Sequence, residues 1–267
     1  MIENFISSVH NPKIKSLLDL QQKAGERKAR SLFTVEGKRE VLHCLQAGYD
    51  IDSCFYCPAL LGTGENADML SRLPDSVRRF EVSAEVYDKI AYRKSTEGII
   101  AEVAERKRSL SDLTLGENPL VIVLESVEKP GNLGAVLRSA DAAGADAVIV
   151  CDPLTDLYNP NLIRSSIGAV FTVPTVACSS QECIAFLKSK GIQILTAQLQ
   201  DSHLYYKYDM TRGTAIIMGT ESTGLSDIWR EAADAHIRIP MLGKMDSLNV
   251  SISAAILLYE AVRQRTE

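Results

Sequence analysis

The amino-acid sequence predicts an α/β protein: a parallel-sheet domain in the C-terminal half, preceded by a smaller α/β domain. Three observations carry this prediction. The strand-like runs beyond residue 119 are continuously apolar rather than alternating, as expected of a parallel sheet covered on both faces. Segments of helical periodicity separate these runs from one another. A polar stretch from Glu105 to Pro119, including Arg106-Lys107-Arg108, breaks the alternation and marks a boundary. The expected divisions are residues 1–105, a solvated linker over 106–118, and residues 119–267.

In the first domain, Asn11-Pro12 opens a helix over residues 11–24 with Ile14, Leu17, Leu18 and Gln21 at helical spacing. Residues 32–35 read as a strand, and residues 37–47, carrying Val41, Leu42 and Leu45, as a helix stopped by Gly48. A strand over 51–57, a helix over 65–72 and a strand over 79–82 follow, then a helix capped by Ser83 and a strand over 98–103. In the second domain, strands are expected at 120–124, 147–151, 171–176, 192–197, 215–218 and 236–239. Helices are expected at 133–143, 160–168, 181–190 and 225–233, and at the C-terminus. Ser179-Ser180-Gln181-Glu182 contains a capping box, and Gly191 closes that helix.

The C-terminal segment is unusual. Ile237-Arg238-Ile239 runs into Pro240, which cannot donate a ladder hydrogen bond. Gly243 and Asp246 mark a tight loop, and Ser247 or Asn249 caps a helix reaching to about Arg265. Leu248, Ile252, Ala255, Tyr259 and Val262 form one apolar stripe, widened by Ala254, Leu257, Leu258 and Ala261. Such a surface is either buried within the chain or shared with a second subunit. The first turn interleaves Ser247, Asn249, Ser251 and Ser253 with hydrophobes, so polar side chains and unpaired helix N–H groups converge there.

Composition excludes several classes. The 267 residues, 46% hydrophobic and 24% charged, are those of a soluble globular protein, and no apolar run is long enough to span a bilayer. The N-terminus lacks a signal-peptide profile, and six cysteines are too few for a disulfide scaffold, so a cytoplasmic location with reduced thiols is expected. Cys54 and Cys57 have C-x-x-C spacing without a second pair or histidine, so no metal is expected. The net charge of −5 argues against a uniformly nucleic-acid-coating surface, yet Lys13, Lys15, Lys23, Arg27, Lys28, Arg30, Lys38 and Arg39 cluster near the N-terminus.

Two further stretches carry potential chemistry. Pro130-Gly131-Asn132-Leu133-Gly134 follows a strand and opens a helix, with Asp152 about twenty residues on, as in a dinucleotide site. Leu133, however, occupies the place where that fingerprint needs its second glycine. Arg138 lies opposite the apolar face of this helix; it either pairs with Asp141 or presents a guanidinium to a phosphate or ribose. Gly219-Thr220-Glu221-Ser222-Thr223-Gly224-Leu225 follows an apolar strand, and Gly219 permits close backbone approach of a ligand.

Together, Pro130 to Gly134 with Arg138, Gly219-Thr220-Glu221 with Gly224-Leu225, and Ile239-Pro240-Met241 through Ser247-Leu248-Asn249-Val250-Ser251 resemble the three motifs of the SpoU-type family of the SPOUT superfamily. These are S-adenosylmethionine-dependent RNA ribose 2′-O-methyltransferases. The resemblance covers Pro119 to the C-terminus; Asn159-Pro160 and the stretch from Arg164 to Ala169 fit the family's intermediate segment, while Lys129 departs from its usual acidic or amide residue. Phe33-Thr34-Val35-Glu36-Gly37 more loosely resembles the family's N-terminal L30e-like substrate-binding domain.

The resemblance implies a SPOUT domain with a C-terminal trefoil knot, and S-adenosylmethionine bound by Gly219, Ile239, Leu248, Met241, Ser251 and Ala197, with Thr196 beside them. It implies a catalytic group of Arg138, Asn132, Glu221 and Asn249. Ribosomal or transfer RNA would be gripped through Lys13, Arg27, Arg30 and Arg39, with Asn11, Glu36, Arg93 and Lys94 nearby, and a homodimer would form through the knot and C-terminal helix. A catalytically silent RNA-binding relative and a nicotinamide-dependent oxidoreductase are the alternatives.

Overall fold

The computed structural model describes residues 5–62, 68–92, 97–220 and 223–266. The chain forms two compact units: Met1–Arg106 with Asp156–Thr172, and Lys107–Thr155 with Val173–Glu267.

The first unit holds a five-stranded sheet in the order β1(Phe5–Ile6), β4(Arg78–Val82), β3(Ile51–Tyr56), β5(Ile99–Ala104), β2(Leu32–Glu36). Strands β1, β4 and β3 run parallel, and β5 pairs antiparallel with both β3 and β2. The expected first helix is split. Lys23 adopts an extended conformation (φ −116°, ψ 111°), ending α1(Pro12–Gln22) before α2(Ala24–Arg30) begins. Asn11 Oδ1 caps α1 by accepting from Lys13 N at 2.9 Å, and Ser83 caps α5(Ala84–Ile90) through Val86 N. Helix α3(Lys38–Gln46) lies where expected, and α4(Pro58–Leu61) is short. Of the helix expected at 65–72, residues 65–67 lie outside the described residues and 68–72 form turns held by Asp68 and Ser71.

Segment Asp156–Thr172 belongs to this first unit. Its helices are α7(Pro160–Ser166) and α8(Ala169–Thr172). The physical reason is aromatic packing: Phe33 stacks on Tyr158 at 4.1 Å between ring centroids, and Phe171 packs against Phe33 and Tyr49. The strand expected at 171–176 therefore starts late, as β8(Thr175–Cys178), after Pro174. Arg106, expected in a solvated linker, stacks over Tyr49 and donates to the Ala47 and Gly48 carbonyls beyond α3.

The second unit is a seven-stranded, wholly parallel sheet, as its continuous apolar runs require. Its order is β10(His203–Leu204), β12(Ala235–Arg238), β9(Gln193–Ala197), β11(Thr214–Met218), β6(Leu120–Glu125), β7(Ala147–Cys151), β8. One core gathers Val121, Ile149, Ile217 and Leu187 with Trp229, drawing on α9(Ser180–Ser189) and α10(Asp227–Ala232). Leu113 joins this core, with Leu110 and Leu115 packed against it, so the expected linker is partly a packed element. Helices α6(Pro130–Ala142) and α11(Val250–Thr266) pack on each other. In α11 the buried residues are Val250, Ala254, Leu257, Leu258, Glu260 and Ala261; Ile252 and Tyr259 of the expected stripe stay about half exposed, at 52% and 50%.

Candidate active site

The parallel order β12–β9–β11–β6 sets the C-terminal ends of four strands on one edge of the sheet. Ala197, Met218 and Arg238, distant in sequence, thereby end neighbouring strands. A cavity of about 370 Å³ lies at these ends, a volume typical of small-molecule sites. Ala197, Gly219, Ile239, Met241 and Leu248 line it, bringing five of the six expected cofactor residues together. Met218, Leu225 and Leu257 add apolar surface, while Gln198, Asp246 and Ser247 add polar groups. Ser251, the sixth, is absent from the lining. Its N–H and hydroxyl both donate to Asn249 Oδ1, at 3.0 and 2.6 Å, so it completes the cap of α11 instead.

The loop after β11 is tight. Thr220 and Gly224 exchange backbone hydrogen bonds at 3.3 and 3.1 Å, and Thr223 N donates to Thr220 Oγ1. A Cβ on Gly219 would lie 2.3 Å from the Gly224 carbonyl group and 2.6 Å from Leu225 N, so this position admits only glycine without backbone movement. Glu221 and Ser222 lie outside the described residues. Beyond them the loop is anchored by a buried carboxylate that the sequence reading did not single out. Glu125, ending β6, accepts from Ser226 N at 2.9 Å and from the Ser226 hydroxyl. Ser180 Oγ donates within the same network and accepts from Trp229 Nε1 at 2.9 Å. Placement at a strand end was the only available signal, since a buried Glu and a solvated one look alike in sequence.

Next to the cavity, Val127, Glu128, Lys129, Asn132, Gly219, Thr220 and Val250 line a smaller cleft of about 120 Å³. Asn249 Nδ2 donates to Asn132 Oδ1 at 3.2 Å, joining two of the expected catalytic residues from opposite ends of the second unit's sequence. Arg138 is exposed on α6 and lines neither space. The anticipated Arg138–Asp141 ion pair does not form among the described residues. The guanidinium faces solvent.

The expected RNA-contacting residues of the first unit divide. Lys13 and Arg39 are exposed; Lys13 Nζ lies over the Phe80 ring at 4.6 Å, and Arg39 is 3.9 Å from Glu40. Arg30 is partly exposed, 3.9 Å from Glu102, and donates to the Ser16 carbonyl. Arg27 corrects the expectation. Its side chain is 6% exposed, pairs with Asp156 at 2.5 Å and donates to the Leu20 and Gln21 carbonyls, so it is buried and braces the fold rather than presenting a charge to phosphate. Asn11 Oδ1 is engaged in the cap of α1, and Glu36 accepts from Tyr92 N at 2.7 Å; Arg93 and Lys94 lie outside the described residues.

Residues 119–259 match the SpoU rRNA Methylase family, and residues 11–101 match the MRM3-like substrate binding domain. The chain is 34% identical over 235 residues to the 23S rRNA (guanosine-2′-O-)-methyltransferase RlmB of Vibrio cholerae, covering 84% of this chain and 95% of the relative. A crystal structure of an RNA 2′-O ribose methyltransferase superposes with a TM-score of 0.86 at 39% identity, covering 98% and 100% of the two chains. The SpoU methyltransferase AviRb from Streptomyces viridochromogenes, in complex with the cofactor AdoMet, superposes with a TM-score of 0.88 at 26% identity, covering 96% and 99%. By its motifs, its parallel sheet and these matches, the chain belongs to the SpoU rRNA methylase family.

Proposed function

We propose that this chain transfers the methyl group of S-adenosylmethionine to a ribose 2′-hydroxyl of ribosomal RNA. The carrying observation is the cavity at the ends of β9, β11 and β12, lined by residues of two family motifs, one of which reaches Asn132 of the remaining motif through the Asn249–Asn132 hydrogen bond. Its volume and its mixture of apolar walls with Gln198, Asp246 and Ser247 suit a nucleoside carrying an amino-acid arm. When bound, S-adenosylmethionine supplies a methyl group activated by its sulfonium. The chain's own residues must then align the ribose and favour loss of its proton. An arginine keeps its proton in proteins, so Arg138 serves as an electrostatic clamp on the neighbouring phosphate and the developing alkoxide. Its solvent-facing position on α6 suits contact with a large substrate. Asn132 and Asn249 fix the entry of α11 beside the cleft, and Glu221 is assigned to orienting these groups.

The family's trefoil knot is assigned to the return of residues 239–249 from β12 to α11. A homodimer through this segment and α11 accounts for the half-exposed Ile252 and Tyr259. Lys13, Arg30 and Arg39 are assigned to RNA phosphates, with action in the cytoplasm; among the described residues no helix is long and apolar enough to cross a membrane. The deciding experiment combines calorimetry with S-adenosylhomocysteine and with NAD and a methyl-transfer assay on ribosomal RNA. The proposal expects S-adenosylhomocysteine to bind, NAD not to bind, and Arg138→Ala to abolish transfer while retaining cofactor affinity. Binding of NAD alone points to the oxidoreductase, and cofactor binding without transfer by the unaltered chain points to the silent relative.

A further inference from the structure

Three cysteines outside the cavity converge in the second unit. Cys151 ends β7, and Cys178 ends β8 as its registered partner, so their side chains leave the same face of the parallel sheet. Cys183 lies in α9, which packs over β7 and β9. The three Sγ atoms all lie within 4.8 Å of one another. Cys151 and Cys183 are fully buried, while Cys178 is partly exposed on the outermost strand of the sheet, which leaves one side of the cluster reachable from solvent. No histidine or carboxylate oxygen joins the group among the described residues.

Buried cysteines often act only as small hydrophobes. The mutual spacing here fits a more specific role. Three sulfurs, each about 2.3 Å from one cation, stand about 4 Å apart in a trigonal arrangement. A disulfide would join only two of these sulfurs and leave the third unused, whereas all three lie within 4.8 Å of one another. We propose that Cys151, Cys178 and Cys183 form a trithiolate site for a thiophilic d10 cation, Zn(II) or Cu(I). Each thiol releases its proton to solvent as its sulfur donates a lone pair to the cation, and no electron is transferred. Three thiolates suffice for Cu(I); Zn(II) takes a water as fourth ligand from the side that Cys178 leaves open. The bound cation ties β8 to β7 and α9, and the expectation that the chain binds no metal gives way to this reading.

The test uses the reduced full chain. Titration with Cd(II) as a spectroscopic probe is expected to give a one-to-one complex with a thiolate-to-metal charge-transfer band. Competition against a Zn(II) chelator and, separately, a Cu(I) chelator identifies which cation is held; retention of neither overturns the proposal. Cys178→Ser is expected to weaken binding at least tenfold, whereas Cys57→Ala, which breaks the C-x-x-C pair, leaves it unchanged. Equal binding by Cys178→Ser and the unaltered chain, or loss on Cys57→Ala alone, overturns it. The unaltered chain gives a reading independent of any folding defect in Cys178→Ser: the cation must slow alkylation of Cys178 at least tenfold, and an unchanged rate refutes the site.

Discussion

Replacing Gly219 by alanine tests the cavity most directly. The added Cβ would stand 2.3 Å from the carbonyl carbon and oxygen of Gly224 and 2.6 Å from Leu225 N, below the 3.0 Å that real Cβ contacts essentially never undercut. All three atoms are backbone, so no rotamer change relieves the clash. Strand β11, which Met218 ends, is held between β9 and β6, so the limb carrying Thr223 to Leu225 must move. That movement opens the Thr220–Gly224 hydrogen-bond pair and displaces Leu225 from the cavity wall. Overpacking of this kind costs about 1–3 kcal/mol. Borne by the loop in its ligand-binding form, it corresponds to a loss of about fivefold to 150-fold in affinity. Calorimetry with S-adenosylhomocysteine measures it, with Gly25→Ala as a control, since a Cβ there meets nothing within 4 Å. A Gly219→Ala variant that binds within twofold of the unaltered chain would refute the claimed tightness of this loop.

Four further outcomes are expected. Burial holds the Glu102 carboxyl above the ordinary carboxylate range, opposed by its hydrogen bond from Ser53 and by Arg30. A folded-state value above the unfolded one gives a contribution present below about pH 4 and lost as pH rises through the raised value. Glu102→Gln should therefore melt higher than the unaltered chain at neutral pH, with the advantage gone in acid; a pH-independent difference would contradict this. Arg27→Ala should cost about 3 kcal/mol in denaturant unfolding by leaving Asp156 and two carbonyls without their partner. Arg39→Ala should instead leave stability unchanged and reduce the salt slope of RNA binding by about one. Finally, Ile252→Asp with Tyr259→Asp should shift the chain to monomer in sedimentation at unchanged helix content, and a persistent dimer would place the interface elsewhere.

Much of the fold was legible because its signals are local. Continuous apolar runs marked the parallel strands, and Ser83 and the Ser179–Glu182 box opened the helices they were expected to open. Arg27 and Ser251 show where legibility ended. Each is a polar residue in the right neighbourhood, but sequence says nothing about whether its donors and acceptors are free. In the fold Arg27 is a buried brace and Ser251 bonds to Asn249. The expected stripe on α11 was likewise too broad, because periodicity reports which residues are apolar, not which of two faces meets the rest of the unit.

The sequence by itself determined the α/β class, the parallel sheet and the motif residues, since these follow from backbone periodicity, capping and residue chemistry within a few turns of chain. Only the tertiary structure decided which distant segments meet. The insertion of β11 between β9 and β6 aligns Ala197, Gly219 and Ile239 on one cavity. Aromatic stacking on Phe33 draws Asp156–Thr172 into the first unit, away from the sequence on either side of it. Strand registry and α9 packing gather Cys151, Cys178 and Cys183. Strand order and side-chain packing are non-local free-energy choices, settled when the whole apolar surface is buried at once.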